Sequence, residues 1–200
     1  MAKYLTLIFF LCMANWATAS DIESDDQFTY TSGLICKRNT CFPAHHSLDG
    51  LSLAVVGAGH AKFLTMDVYT AVLYAQTDKP RLRHDAILDD VPKCLVIHYH
   101  RPLKKELIAR TAERQLRKNP EIDLMTIKER LLEFHAAYRD VKAGDRYALE
   151  YSKSKGTRLI LNGVEQIAVP GQDFAKAYFE IWLSKHPLDK GLRNALLKDM

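Results

Sequence analysis

Residues 157–197 constrain this chain more than any other stretch, because their punctuation admits one order of elements. Thr157-Arg158-Leu159-Ile160-Leu161 alternates and carries β-branched residues. Asn162-Gly163 follows as a hairpin signal, since both central positions of a type I′ turn require positive φ. Val164–Val169 returns as a second strand, and Pro170-Gly171 breaks it. Phe174, Tyr178, Ile181 and Trp182 then recur at helical spacing, with Phe179 and Leu183 widening the apolar face. His186-Pro187 stops that helix, because the residue before a proline is driven out of the helical region. Leu188, Leu192, Ala195 and Leu196 mark a last short helix.

Upstream, strands come first and helices later. Phe28–Ile35 and Leu51–Val56 read as strands, and Gly57-Ala58-Gly59 interrupts the pattern in the manner of a bulge or a close backbone approach. Lys62 to Gln76 is the longest strand candidate, Asp78–Asp90 a polar connection, and Cys94 to Tyr99 a further strand. Leu103–Lys118 is amphipathic, with Leu107, Ile108, Ala112 and Leu116 as its stripe. Asn119-Pro120 stops it and opens a second helix reaching about Tyr138. Ala143-Gly144-Asp145 turns into the strand Arg146–Tyr151. This order is an α+β pattern, an antiparallel sheet with helices packed on one face.

The chain has 200 residues, enough for one domain with a sizeable core. Met1–Ala19 reads as a secretory signal peptide: Lys3 is its positive end, Leu5–Met13 its apolar run and Ala17-Thr18-Ala19 its cleavage site. The expected location is therefore periplasmic or secreted. Residues 20–50 read as an N-terminal arm, acidic over Ser20–Gln27, with a candidate first strand, and residues 51–200 as the main domain. A formal net charge of +4 is too mild to imply a nucleic-acid partner. Beyond the signal the cysteines are Cys36, Cys41 and Cys94. Cys36 and Cys41 flank a short turn and are expected to form a disulfide in an oxidising compartment, in preference to a metal pair with His45-His46. Cys94, in an apolar strand, reads as a buried thiol.

The residues NG…IxVPGxxFAxAxFxIWLxxxPxxxxLxxxLL make this chain resemble the chalcone isomerase-like family, in its bacterial secreted branch. The resemblance covers about Leu51 to Leu197 and implies an open-faced sandwich with a ligand cleft between sheet and helices. Family members carry a GxGxR motif whose arginine reaches that cleft. Here Gly57-Ala58-Gly59-His60 leads to Ala61, and Lys62 follows on what a regular strand makes the opposite face. Asp67-Val68-Tyr69 with Leu73-Tyr74 matches the family's DVYxxxLY strand, whose tyrosine reaches the ligand headgroup in fatty-acid-binding members. Polar residues that plant enzymes carry near their first helix are not preserved at Leu103 and Arg110.

The resemblance therefore implies non-catalytic binding of a small apolar or amphipathic, fatty-acid-like ligand. Tyr69 and Lys62 are the headgroup candidates; Tyr99, Phe174 and Tyr178 are candidates for the apolar wall. The alternatives are an intramolecular lyase of the chalcone–flavanone isomerase type, weakened by the missing arginine, and an envelope interaction protein without a ligand. No cofactor, metal or catalytic residue is assigned. His98-Tyr99-His100 places two imidazoles on one strand face, a chelating spacing with no carboxylate nearby in sequence. The basic face of Leu103–Lys118 reads as solvated in preference to a lipid-binding surface.

Overall fold

Chain order sets the hydrogen bonding of the main sheet, which is an antiparallel meander. The computed structural model describes residues 28–37, 39–76 and 88–198. Strands β1 (Thr29–Thr31), β2 (Leu34–Lys37) and β3 (Thr40–Pro43) form a small three-stranded sheet. Strands β4 (His45–Leu48), β5 (Leu51–Phe63), β6 (Met66–Ala75), β7 (Lys93–Tyr99), β8 (Arg146–Ser152), β9 (Gly156–Leu161) and β10 (Val164–Val169) pair in sequence as a seven-stranded sheet. Helices α1 (Lys105–Lys118) and α2 (Leu124–Ala136) lie between β7 and β8, and α3 (Gln172–Leu183) and α4 (Lys190–Leu196) follow β10. The α+β architecture with helices on one face is the one its element order implies. The expected signal peptide, the acidic arm to Gln27 and most of the 78–90 connection lie outside the described residues.

Strand alternation sorts the core into two layers. Ala71, Leu73 and Ala75 of β6, with Leu95, Ile97 and Tyr99 of β7, face the helices. Val72, Tyr74 and Cys94 face the other way and pack against Ile35, Phe42, Leu48 and Leu53. Residues 28–48 thus contribute more than an arm and one strand: β1–β3 cover part of the face that the helices leave open. Ser32 and Gly33, at φ 47° and 79°, divide Phe28–Ile35 into two strands. A disulfide joins Cys36 and Cys41, which oppose each other directly in the β2–β3 ladder. Cys94 is a free buried thiol, and burial pushes its pKa well up.

Three boundaries differ from the sequence reading. Strand β5 continues past Gly57 and Gly59 to Phe63, with the expected bulge at Val56, where the register shifts between Val55 and Gly57, and the expected close approach of α4: a Cβ on Gly57 would overlap the carbonyl oxygens of Ala195 and Leu196, and one on Gly59 would lie 2.7 Å from the Ala195 Cβ. The stretch from Lys62 to Gln76 is not one strand, since Leu64-Thr65 turns the chain between β5 and β6 with no glycine or asparagine to announce it. Helix α2 starts at Leu124 and not at Pro120, because Asp123 is the side chain that caps it, accepting from the Met125 amide. Asn119 instead ties the α1 end to α3, its amide donating to Glu180 at 2.6 Å.

Lys93 is fully buried, donates to the carbonyls of Asp89 and Val91 and lies over the Tyr151 ring. Burial lowers its pKa to about 7 from 10.5. Below that lower value both folded and unfolded chains hold the proton; between the two values only the unfolded chain does. Stability is therefore expected to rise with pH from about 7 to about 9, above which Cys94 and the buried tyrosines, whose pKa values burial raises, oppose the gain. Urea midpoints measured across that window should climb for the wild type, and Lys93→Met should flatten the climb.

Candidate functional site

A cavity of about 690 Å³ opens between the sheet and the helices at the β5–β6 end of the molecule. Its floor is the helix-facing side of the sheet: Ala61, Tyr69, Ile97, Tyr99, Tyr147, Leu149 and Leu159. Its roof is Leu107, Ile108, Thr111 and Ala112 of α1, with Ile181 and Trp182 from the last turn of α3. The expected stripe of α1 is split by this arrangement. Ala112 and Leu116 are buried, whereas Leu107 stays 46% exposed at the cavity edge.

A β-bulge shapes one wall. Ala61 pairs with Tyr69 and Lys62 with Asp67, so Val68 is an extra residue in β6. The extra residue lets the β6 neighbours Val68 and Tyr69 both line the cavity, while Lys62 reaches its mouth and also borders the opposite face beside His60 and Phe28. Ala61 presents only a methyl group beside Tyr69, and Lys62 sits at the exposed mouth.

Two phenols supply the interior polarity. The Tyr69 hydroxyl accepts from the Trp182 indole N–H at 3.1 Å, and no described residue accepts its own proton. Burial raises its pKa to about 12, against the lowering effect of that hydrogen bond, and nearby Asp189 adds to the rise. Tyr99 lies with its ring centroid 6.0 Å from that of Tyr69. No described residue hydrogen-bonds its hydroxyl, and burial first, then the surrounding tyrosines, push its pKa far up. Both groups are therefore neutral donors at physiological pH. The remaining wall phenols are engaged: Tyr138 with Tyr178 at 2.8 Å, and Tyr147 with the Arg139 backbone.

Of the residues proposed from sequence, Tyr69, Tyr99 and Lys62 come together at this cavity. Phe174 and Tyr178 are not part of its wall. They are fully buried further along α3, stacked on each other and packed on Phe134, because the inward face of α3 points into the core until its last turn. Among the wall residues that sequence reading did not propose are Trp182, Asp189 and Arg101, the last a cation. Arg101 follows the end of β7 and sits at the mouth, its Nε donating to the Asp67 carbonyl at 3.2 Å. The signal was a cation just past the strand holding Tyr99, and it became meaningful only once the bulge had brought β5, β6 and β7 to one opening.

The histidines elsewhere have other partners. His98 accepts from Arg146 at 3.2 Å and His100 bonds Thr70 at 2.7 Å, so each imidazole of that pair is occupied separately. His46 bonds Glu150 at 2.7 Å above buried Cys94, and Glu150 is also held by Arg158 at 2.6 Å.

The fold and the cavity define a sheet-and-helix protein with an apolar internal pocket and a cationic mouth. The chain belongs to the chalcone isomerase-like family, whose model matches residues 38–198. Its fold is similar to the crystal structure of a fatty-acid binding protein from Arabidopsis thaliana, with a TM-score of 0.60 and 16% sequence identity over 80% of this chain and 92% of that one. No curated protein sequence matches.

Tyr69 and Tyr99 are expected to separate in stability measurements. Tyr69→Phe leaves the Trp182 N–H buried without an acceptor, costing about 1–3 kcal/mol. Tyr99→Phe breaks no described hydrogen bond and should shift a urea midpoint little.

Proposed function

We propose that this protein binds an amphipathic molecule with an acyl-like chain, such as a fatty acid, and performs no chemistry on it. The observation that carries this reading is the pair of buried phenols, Tyr69 and Tyr99, whose protons have no acceptor among the described residues inside an otherwise apolar cavity. Both hydroxyls are neutral donors turned to the cavity, so such a site favours a ligand that brings acceptor oxygens. The volume lies within the roughly 300–1,000 Å³ typical of small-ligand pockets. An acyl chain gains about 0.8 kcal/mol per buried CH₂, so affinity does not require a charge clamp.

The headgroup is expected to sit between the phenols and the mouth. Ala61 stands where the family arginine is expected, and Arg101 and Lys62 offer cationic groups instead, from just past β7 and from the end of β5. A guanidinium suits a carboxylate because its fork matches two oxygens. An intramolecular lyase would need to stabilise a developing enolate deep in the cleft. The methyl of Ala61 gives no such help, which favours binding over turnover. The Cys36–Cys41 disulfide supports an exported, periplasmic setting, and the bacterial secreted branch of the family fits it.

The test is a titration with a fluorescent long-chain fatty acid and the matching alcohol, beside a chalcone turnover assay. The wild type should bind both saturably and turn over no chalcone. Arg101→Gln should weaken the acid about five- to tenfold and leave the alcohol unchanged. Tyr99→Phe should weaken both by about 0.5–1.5 kcal/mol, and Ala61→Arg should strengthen the acid selectively. Absence of saturable binding would favour an interaction protein, and clear turnover would favour the lyase.

A further inference from the structure

The β5–β6 hairpin breaks two rules at once. Its turn residue Leu64 adopts φ 56°, the left-handed region that disfavours a branched side chain, and it is 83% exposed. Phe63 and Met66 beside it are 65% and 42% exposed. A solvated turn would carry glycine, asparagine or aspartate there and lose nothing. The three side chains form an apolar finger at one edge of the cavity mouth. Leu107 and Leu188, at 46% and 38% exposure, stand on the other lining elements of the same mouth. Directly behind the finger lie Lys62 and Arg101, with the acidic Asp67 opposite Lys62 in the hairpin and Asp189 across the lining.

We propose that this rim docks on an anionic lipid bilayer, the finger entering the interface so that an apolar ligand passes between membrane and cavity without crossing water. The proposal rests on the ligand-binding reading above. Two observations select a bilayer as the occupant. The apolar rim is continuous with the apolar cavity, so whatever covers it also seals the ligand's route. The cations sit one residue behind the apolar tip in β5 and at the end of β7, the level at which anionic headgroups would lie if Phe63 and Leu64 reached the acyl boundary.

The experiment measures co-sedimentation with phosphatidylcholine vesicles, with and without phosphatidylglycerol, and the rate at which a fluorescent fatty acid moves from those vesicles to the protein. The wild type should sediment with the anionic vesicles, less so at high salt. Leu64→Asn and Leu64→Asp keep side chains that tolerate the left-handed turn, so both should fold. Each should weaken sedimentation about tenfold and slow transfer, while the affinity for fatty acid supplied in solution stays unchanged. Wild type that ignores anionic vesicles, or variants that sediment equally well, would overturn the proposal. So would a concentration-dependent dimer abolished by Leu64→Asn, since a second copy would then cover the rim. Vesicle binding with no fatty-acid uptake in solution would uphold the docking rim and instead defeat the cavity reading.

Discussion

Helix α3 is the element on which everything else is assembled. Nearly all of it is buried, from Phe174 to Leu183, and its aromatic face meets α2 through Phe134 and Tyr138. Asn119 at the end of α1 donates to Glu180, and the Trp182 indole donates to Tyr69 on β6. A helix covered on so many sides has one register, because a shift of a single residue would swing Glu180 into the aromatic cluster. The cavity is a consequence of where this helix ends. Phe174 and Tyr178 fill the space over the sheet, whereas past Leu183 α3 gives no more side chains and the floor at Ala61 and Tyr99 faces the cavity under α1.

The second determinant is the bulged end of the β5–β6 ladder. An unbroken pairing would place a side chain toward the cavity from every second residue, giving Ala61 and Phe63 to the inside and Lys62 to the outside. The extra residue Val68 disrupts the alternation of β6, so that Val68 and Tyr69 both line the opening beside Ala61, with exposed Lys62 at its edge. Charge and apolar surface then segregate along the depth of the cleft. The interior offers neutral phenol donors, the mouth offers Arg101 and Lys62, and the rim offers Phe63, Leu64 and Met66. This gradient matches an amphipathic ligand better than a wholly apolar one.

Much of this was legible in the residues. The hairpin at Asn162-Gly163, the stop at Pro170-Gly171 and the aromatic period of α3 are local signals, and the structure follows them: Asn162 and Gly163 take φ 51° and 83°. Tyr69, put forward from the family's strand motif, and Tyr99, put forward as a wall residue, both line the cleft. Phe174 and Tyr178 show the limit of periodicity. It says which side of a helix is apolar, but whether that side meets a void or a wall depends on α2, which lies far away in sequence. Arg101 and the Leu64 turn were invisible for a related reason. One acquires its role through a bulge in neighbouring strands, and the other adopts its turn against its own conformational preference, with no glycine to give it away.

The claim on which these relations converge is that the ligand lies between Tyr69, Tyr99 and Trp182. It is tested most directly by photo-crosslinking a diazirine-bearing fatty acid to the protein and mapping the modified peptides by mass spectrometry. Adducts are expected on the segments carrying Tyr69, Tyr99 and Trp182, with competition by unlabelled acid. Saturable adducts confined to the opposite face of the sheet, around Phe42 and Tyr74, would contradict it.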